Sequence, residues 1–337
     1  MIFLAFSLAC GVSESTPAGG ADLYPPCNSL SDCQDKFRVA AAEKNDVFSG
    51  LYARDACERG DEDLCIVAAT NADPRWQSAN LSGYCLLHPG KICVEAGDFD
   101  VAKNWVDTAV KSYNIGCNGD YLPACDAAAA VGVEHIGIRE DAAASAIKGC
   151  RAGSNTSCKK LGLWFVQDNA KANELLPTFE TGCDLGALDA CSVAGLSYVF
   201  QTTPPDIRRA EALFRKACDG GAGSGCSGLA VLMVRDHPER TPDAYPLASR
   251  GCAQDDLLGC RLVAVFTLGG SLPSPDYAAG YAAAKRGCEL GEVIACEKAA
   301  QGIEGGKFAG TADESAKYRK YACDRGYARS CGAHSPE

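Results

Sequence analysis

Residues 206–230 read DIRRAEALFRKACDGGAGSGCSGLA. Ala210, Leu213, Phe214 and Ala217 fall at i, i+3, i+4 and i+7. After a glycine-rich break, Cys226, Leu229, Ala230 and Met233 repeat that spacing. Both segments are predicted to be amphipathic helices. Residues i and i+8 of a straight helix lie about 12 Å apart along its axis, whereas a disulfide needs Cα atoms within about 4.4–6.8 Å. If Cys218 and Cys226 are bonded, the chain must reverse between them, which makes the stretch an αα-hairpin. Glycine at 221 suits the left-handed cap that ends a helix before such a turn.

The same pair, two cysteines eight residues apart, occurs nine times. Cys57 stands with Cys65, Cys85 with Cys93, Cys117 with Cys125, Cys150 with Cys158, and Cys183 with Cys191. Cys218 stands with Cys226, Cys252 with Cys260, Cys288 with Cys296, and Cys323 with Cys331. Successive pairs begin 28 to 36 residues apart, the period of a stacked-repeat protein. Six pairs carry glycine three positions after the first cysteine: Gly60, Gly153, Gly186, Gly221, Gly291 and Gly326. The residue before the first cysteine is Gly or Ala in eight of the nine, which lets two helix backbones approach closely enough for a bridge. A lone hairpin of this size cannot bury enough apolar surface to stand alone, so each must lean on its neighbours. On the chain-entropy model each bridge contributes about 2–3 kcal/mol. The expected fold is an all-α solenoid.

Twenty-one cysteines in 337 residues, regularly paired, point to an oxidising compartment. The competing reading, reduced cysteines packed as small hydrophobes, leaves unexplained why alanine is not used instead. Zinc ligation calls for closer C-x2–4-C spacing with histidine support. Only His88, His135, His237 and His334 are present, and His88 and His135 have no ligating neighbour in sequence. No metal or cofactor is expected. A net charge of −11, without a Lys/Arg cluster, argues against nucleic acid as a partner.

Nine pairs leave Cys10, Cys27 and Cys33. The distance from Cys33 to Cys57 matches the other gaps between a second cysteine and the next first one. Cys33 is therefore read as the second cysteine of a shortened unit, with Cys27 its partner. Residues 27–45 are assigned to an N-terminal cap half-repeat and residues 46–337 to nine repeats. Residues 2–9 (IFLAFSLA) form a short apolar run, and residues 10–26 read as a flexible tether. This start resembles a bacterial lipoprotein signal over residues 1–9, with Ala9 before the cleavage point and Cys10 the acylated residue. Ser7 departs from the usual leucine and a basic leader is missing, so translation is expected to begin upstream of Met1. By the same resemblance, Gly11 favours the outer membrane. Plain secretion is the alternative. No segment is long enough to span a membrane.

Residues 206–230 also resemble the Sel1-like repeat: a KA-type first helix, a small residue before the turn, glycine after it, then small-Cys-x-x-Leu. With C-x7-C in every unit, residues 45–337 are similar to the cysteine-rich Sel1 (Hcp-type) proteins. Three units depart from the pattern, with His88-Pro89-Gly90 in place of the usual turn, Gly119 one position early, and Asp255 where glycine is expected. The resemblance implies a TPR-like α/α right-handed superhelix whose concave face, lined by the first helices, holds peptide or protein partners. The function expected is a non-catalytic envelope scaffold for a protein, peptide or cell-wall component. Its only membrane contact would be the lipid anchor.

Some cysteine-rich members are described as penicillin-binding or β-lactamase-like, which supplies the enzymatic alternative. Ser145-Ala-Ile-Lys148 and Ser157-Cys-Lys-Lys160 match Ser-x-x-Lys, but no S-D-N, K-T-G or strand accompanies them, so no catalytic residue is assigned. Cys158, beside Lys159, is expected to be bonded and hence not a nucleophile. Gly220–Gly225 is expected to be an inter-helix turn rather than a phosphate cradle. Pro177 and Pro246 should kink a first helix or mark its late start. The acidic pairs Glu62/Asp63, Glu140/Asp141 and Asp255/Asp256 are placed near helix starts, where they complement the dipole. Trp76, Trp105, Trp164, Tyr84, Tyr113 and Tyr198 are expected in the core between repeats.

Overall fold

The computed structural model describes residues 26–70, 77–135, 137, 139–165, 169–235 and 237–331. Cys10, the leader before it, Trp76 and His334 lie outside them. The described residues form helices α1 (Leu30–Ala42), α2 (Asp46–Glu58), α3 (Glu62–Thr70), α4 (Gln77–Leu87), α5 (Lys91–Ala102), α6 (Val106–Asn118) and α7 (Leu122–Glu134). There follow α8 (Arg139–Arg151), α9 (Asn155–Phe165), α10 (Asn169–Asp184), α11 (Leu188–Phe200), α12 (Ile207–Asp219) and α13 (Gly223–Arg235). The remainder are α14 (Thr241–Ala253), α15 (Leu257–Leu268), α16 (Tyr277–Glu289), α17 (Val293–Glu304), α18 (Ala312–Asp324) and α19 (Ala328–Cys331).

From α2 onward the helices pair into hairpins, each bridged between the last turn of its first helix and the first turns of its second. The first five bridges are Cys57–Cys65, Cys85–Cys93, Cys117–Cys125, Cys150–Cys158 and Cys183–Cys191. The other four are Cys218–Cys226, Cys252–Cys260, Cys288–Cys296 and Cys323–Cys331. Cα–Cα distances across them run from 4.3 Å at Cys252 to 4.9 Å at Cys323. In the first eight hairpins the second cysteine is sealed in the hairpin, as where Cys191 joins α11 to α10 and Cys296 joins α17 to α16, both fully buried; Cys331 of the ninth is exposed. α1 carries a bridge of its own, between Cys27 and Cys33.

The turn has one cause, repeated. In the Cys218 hairpin the Gly221 N–H donates to Cys218 O and the Ala222 N–H to Ala217 O, the two bonds of a Schellman cap. Gly221 has φ +97°, which its missing Cβ permits. The same two bonds close seven other hairpins. In two of them the left-handed residue is not glycine: Asp120 (φ 64°) and Asp255 (φ 57°) stand three positions after Cys117 and Cys252. The early Gly119 is therefore not the turning residue; its φ is −78°. The Cys85 hairpin is the exception, because Pro89 occupies the position whose N–H would close the cap. His88 N–H donates to Tyr84 O instead.

Close approach explains the small residue before the cysteine. A Cβ added to Gly116 would lie 2.8 Å from the Cβ atoms of both Ala124 and Cys93. That position faces the partner helix and the preceding hairpin's bridge together. Four residues before the first cysteine comes a core position. Ala53, Leu81, Tyr113, Ala146, Phe179, Phe214, Ala248 and Ala284 fill it, all buried. The ninth hairpin puts Arg319 there. Its guanidinium donates to both carboxylate oxygens of Glu297, at 3.0 and 2.9 Å, and to Glu304, while Ser330 also donates to Glu297.

Basic side chains join four of the hairpins to the one before. Lys148, Lys216 and Arg250, each two residues before its cysteine, donate to the backbone carbonyls of Cys117, Cys183 and Cys218 respectively. These carbonyls belong to the last turn of the preceding first helix, where a cation complements the dipole. Arg286 instead reaches Asp255 at 2.7 Å, as Lys148 also does Asp120.

Contacts gather into two units, residues 1–164 and residues 165–337. Within each, substantial packing runs between consecutive helices and those two apart. The first unit buries Tyr52, Leu64, Leu81, Ile92 and the bridges of Cys57, Cys85 and Cys117. The second buries Tyr198, Phe214, Val263, Phe266 and Phe308.

Of the two readings of the prolines the late start is excluded, and one further expectation is corrected. Neither proline marks a late start: α10 runs eight residues before Pro177, and α14 five before Pro246. Trp105 is not in the core. It precedes α6 with 51% of its surface exposed, because Asn104 in the left-handed region turns the chain there. Trp164, Tyr113 and Tyr198 are buried, and Tyr84 is partly buried against the core. No helix of the described residues is long and apolar enough to cross a membrane.

Candidate functional site

On α12, Ile207, Glu211 and Arg215 stand at i, i+4 and i+8, so they share one face. Asp206 starts the helix by accepting the Arg209 N–H at 3.0 Å. The next first helix, α14, is entered through a 3-10 turn, Pro238–Arg240, which the Thr241 hydroxyl holds by donating to Pro238 O. α14 and its turn contribute Arg240, Leu247 and Arg250, and α13 between the two contributes Leu229, Leu232 and Met233. Together these residues line an open groove of about 460 Å³, within the range typical of ligand pockets.

The groove is apolar in its floor and charged along its sides. Arg215, Arg240 and Arg250 line it with the carboxylates Glu211 and Asp219, and Asp243 stands beside Arg240, in a chain whose net charge is −11. Arg215 donates to Glu211 at 2.6 Å, Arg250 to Cys218 O at 3.1 Å, and Arg240 lies 3.6 Å from Asp243. A guanidinium carries five N–H donors, so most remain for a ligand. A second groove, of about 490 Å³, lies at the equivalent place in the first unit and includes residues of α6 and α8. It is lined by Asp107, Val110, Lys111, Asn114, Gly137 and Asp141, two carboxylates against one ammonium.

Neither Ser-x-x-Lys match assembles a nucleophile. Ser145 is buried and donates to Asn114 Oδ1 at 2.6 Å, while Lys148 spends its ammonium on Cys117 O, Asn118 O and Asp120. Ser157 is fully buried and donates to Asp126 Oδ1 at 2.6 Å, an oxygen that Ser154 shares. Cys158 is bonded to Cys150. Gly220–Ala222 cap α12 and make the inter-helix turn, while Gly223–Gly225 already form the first turn of α13. Glu62/Asp63 and Glu140/Asp141 lie in the first turns of α3 and α8, and Asp256 caps α15 through the Gly259 N–H.

Cys57, Cys65 and His88 bring three ligand-type atoms within 4.8 Å of one another. The two sulfurs are bonded to each other, so neither is a thiolate and the trio does not ligate as it stands. Tyr198 donates to Glu180 at 2.6 Å beneath the Arg209 guanidinium; burial first, then that bond, pushes its hydroxyl up to about 12. Tyr113 is raised for the same two reasons, with Asp98 as acceptor. Both are packing contacts.

The groove is what the sequence reading missed. Its α12 face was legible as a four-residue spacing, but the pairing of Arg215 with Arg240 and Arg250 needs two hairpins stacked.

No protein-family model and no curated protein matches the chain. Among solved structures it is similar to a Sel1 repeat protein from Oxalobacter formigenes, at 16% identity and a TM-score of 0.42, over 53% of this chain and 76% of that one. It is also similar to c5321, a protective antigen present in uropathogenic Escherichia coli strains that displays an SLR fold. That likeness has 14% identity and a TM-score of 0.42, over 88% of this chain and 72% of the other.

Proposed function

We propose that this chain is a disulfide-clamped repeat scaffold of an oxidising, exported compartment, binding protein or peptide partners between the first helices of successive hairpins. The observation that carries the reading is the α12–α14 groove, where apolar floor and unspent guanidinium donors are left open together. Ten bridges support the compartment, since they persist only where thiols are not kept reduced. The buried serines and committed lysine support a non-catalytic role. Acylation of Cys10, and with it an outer-membrane location, belongs to the same proposal; an unmodified Cys10 in the mature protein by mass spectrometry would remove it.

A photocrosslinking residue at Glu211, inside the groove, is expected to capture a partner from envelope extract. The same probe at Lys320, an exposed position on α18, is expected to capture none. A Glu211 probe that yields no more adduct than the Lys320 probe sinks the proposal.

A further inference from the structure

We infer that the α12–α14 groove binds an acidic peptide segment of a partner protein that carries an apolar side chain beside its carboxylates; this rests on the scaffold reading above. Three observations lead there. Three arginines stand against Glu211 and Asp219 in the lining and Asp243 beside Arg240, so the groove is charge-balanced in a chain of net charge −11 and repels an anion less than the rest of the molecule does. Among the described residues the guanidinium groups of Arg215 and Arg250 each make one hydrogen bond, and that of Arg240 makes a 3.6 Å ion pair with Asp243. Planar guanidinium forks match carboxylates in bidentate fashion, so the spare donors select Asp or Glu over a neutral side chain. Between them Leu229, Leu232 and Met233 present apolar surface, and methionine adapts to irregular side chains. The equivalent groove of the first unit, with Asp107 and Asp141 against Lys111, repels such a segment. One fold position thus serves two different charges.

The test uses the full oxidised chain and fluorescein-labelled hexapeptides in which Glu or Asp flanks Leu or Phe, read by anisotropy. Counterparts with Gln and Asn replace only the charge. The acidic peptides are expected to bind at least about tenfold more tightly than their amide counterparts and to weaken as salt rises to about 0.5 M. Arg215→Ala and Arg240→Ala should each lose about five- to tenfold. Both side chains are about half exposed or more, and neither makes a side-chain cap hydrogen bond, Arg240 giving up only its 3.6 Å pair with Asp243 in the first turn of α14, so the fold survives their removal; Arg250 is left alone because it holds Cys218 O. Equal binding of the amide peptides, undiminished binding by both variants, or no acidic peptide bound at millimolar concentration would overturn the inference. So would arginine-dependent sedimentation with anionic phospholipid vesicles in place of peptide binding. If Glu211 still crosslinks a partner while the acidic peptides fail, the scaffold reading stands and this inference alone falls.

Discussion

Asp100 is fully buried in α5, accepts one hydrogen bond from Ser78 at 2.8 Å, and leaves its second carboxylate oxygen without a partner. Burial raises its pKa above the ordinary aspartate value, the Ser78 bond opposing only in part. A raised folded-state pKa means that the native chain holds the proton to higher pH than the unfolded chain does. Below the unfolded value of about 4 both states are protonated and no penalty exists. As pH rises past it, the unfolded chain ionises first and stability falls until the native carboxyl ionises too. Asp100→Asn should therefore stabilise the protein by about 1 kcal/mol at neutral pH, and the gain should vanish toward about pH 4. Thermal melts of both proteins across that window check it; an equal gain at every pH would show that ionisation is not the cause.

Arg319 shows what an element junction does when its core position carries charge. It sits where eight other first helices place an apolar or aromatic residue, and its partners come from α17, so the ion pairs tie α18 to the preceding hairpin. Ser330 of α19 donates to the same Glu297, closing the last hairpin onto the network. Removing the cation alone leaves a buried carboxylate unpaired. Arg319→Leu should cost about 3–5 kcal/mol, whereas Arg319→Leu with Glu297→Leu should recover most of the loss. Denaturant midpoints of the two variants test this, and a double variant no better than the single one would mean that Glu297 is not the stranded charge. The same logic, in weaker form, applies where Lys148, Lys216 and Arg250 bind the carbonyls that end the preceding first helix.

At the scale of the whole molecule, cohesion is local. Helices lean on their neighbours in sequence, several also on those two positions away, and the bridges close loops inside single hairpins, so damage should stay near its source. Phe214→Ala, which empties the space that Gly195 and Gly228 leave for the ring, should cost about 3–5 kcal/mol. Hydrogen exchange should then quicken in α11–α14 while α16–α18 keep their protection. Uniform loss of protection across the second unit would show that the repeats unfold as one block.

The hairpins were legible because a turn is short-range chemistry. Small-Cys-x-x-Gly states the cap, the reversal and the bridge within a few residues, and even Asp120 and Asp255 keep the left-handed position that glycine marks elsewhere. The aromatic residues were only partly legible. Tyr113 and Tyr198 stand at helical spacing inside their hairpins, whereas Trp105 stands at a bend, where spacing along one helix says nothing of its exposure. The groove was not legible, since its walls come from two first helices 34 residues apart and its floor from a third helix. The sequence by itself determined the helical hairpin, its turn and its repetition, because those depend on contacts within about ten residues. Only the tertiary structure decided which basic side chains cap a neighbour and which stay open above an apolar floor, because that depends on the register of one hairpin against the next.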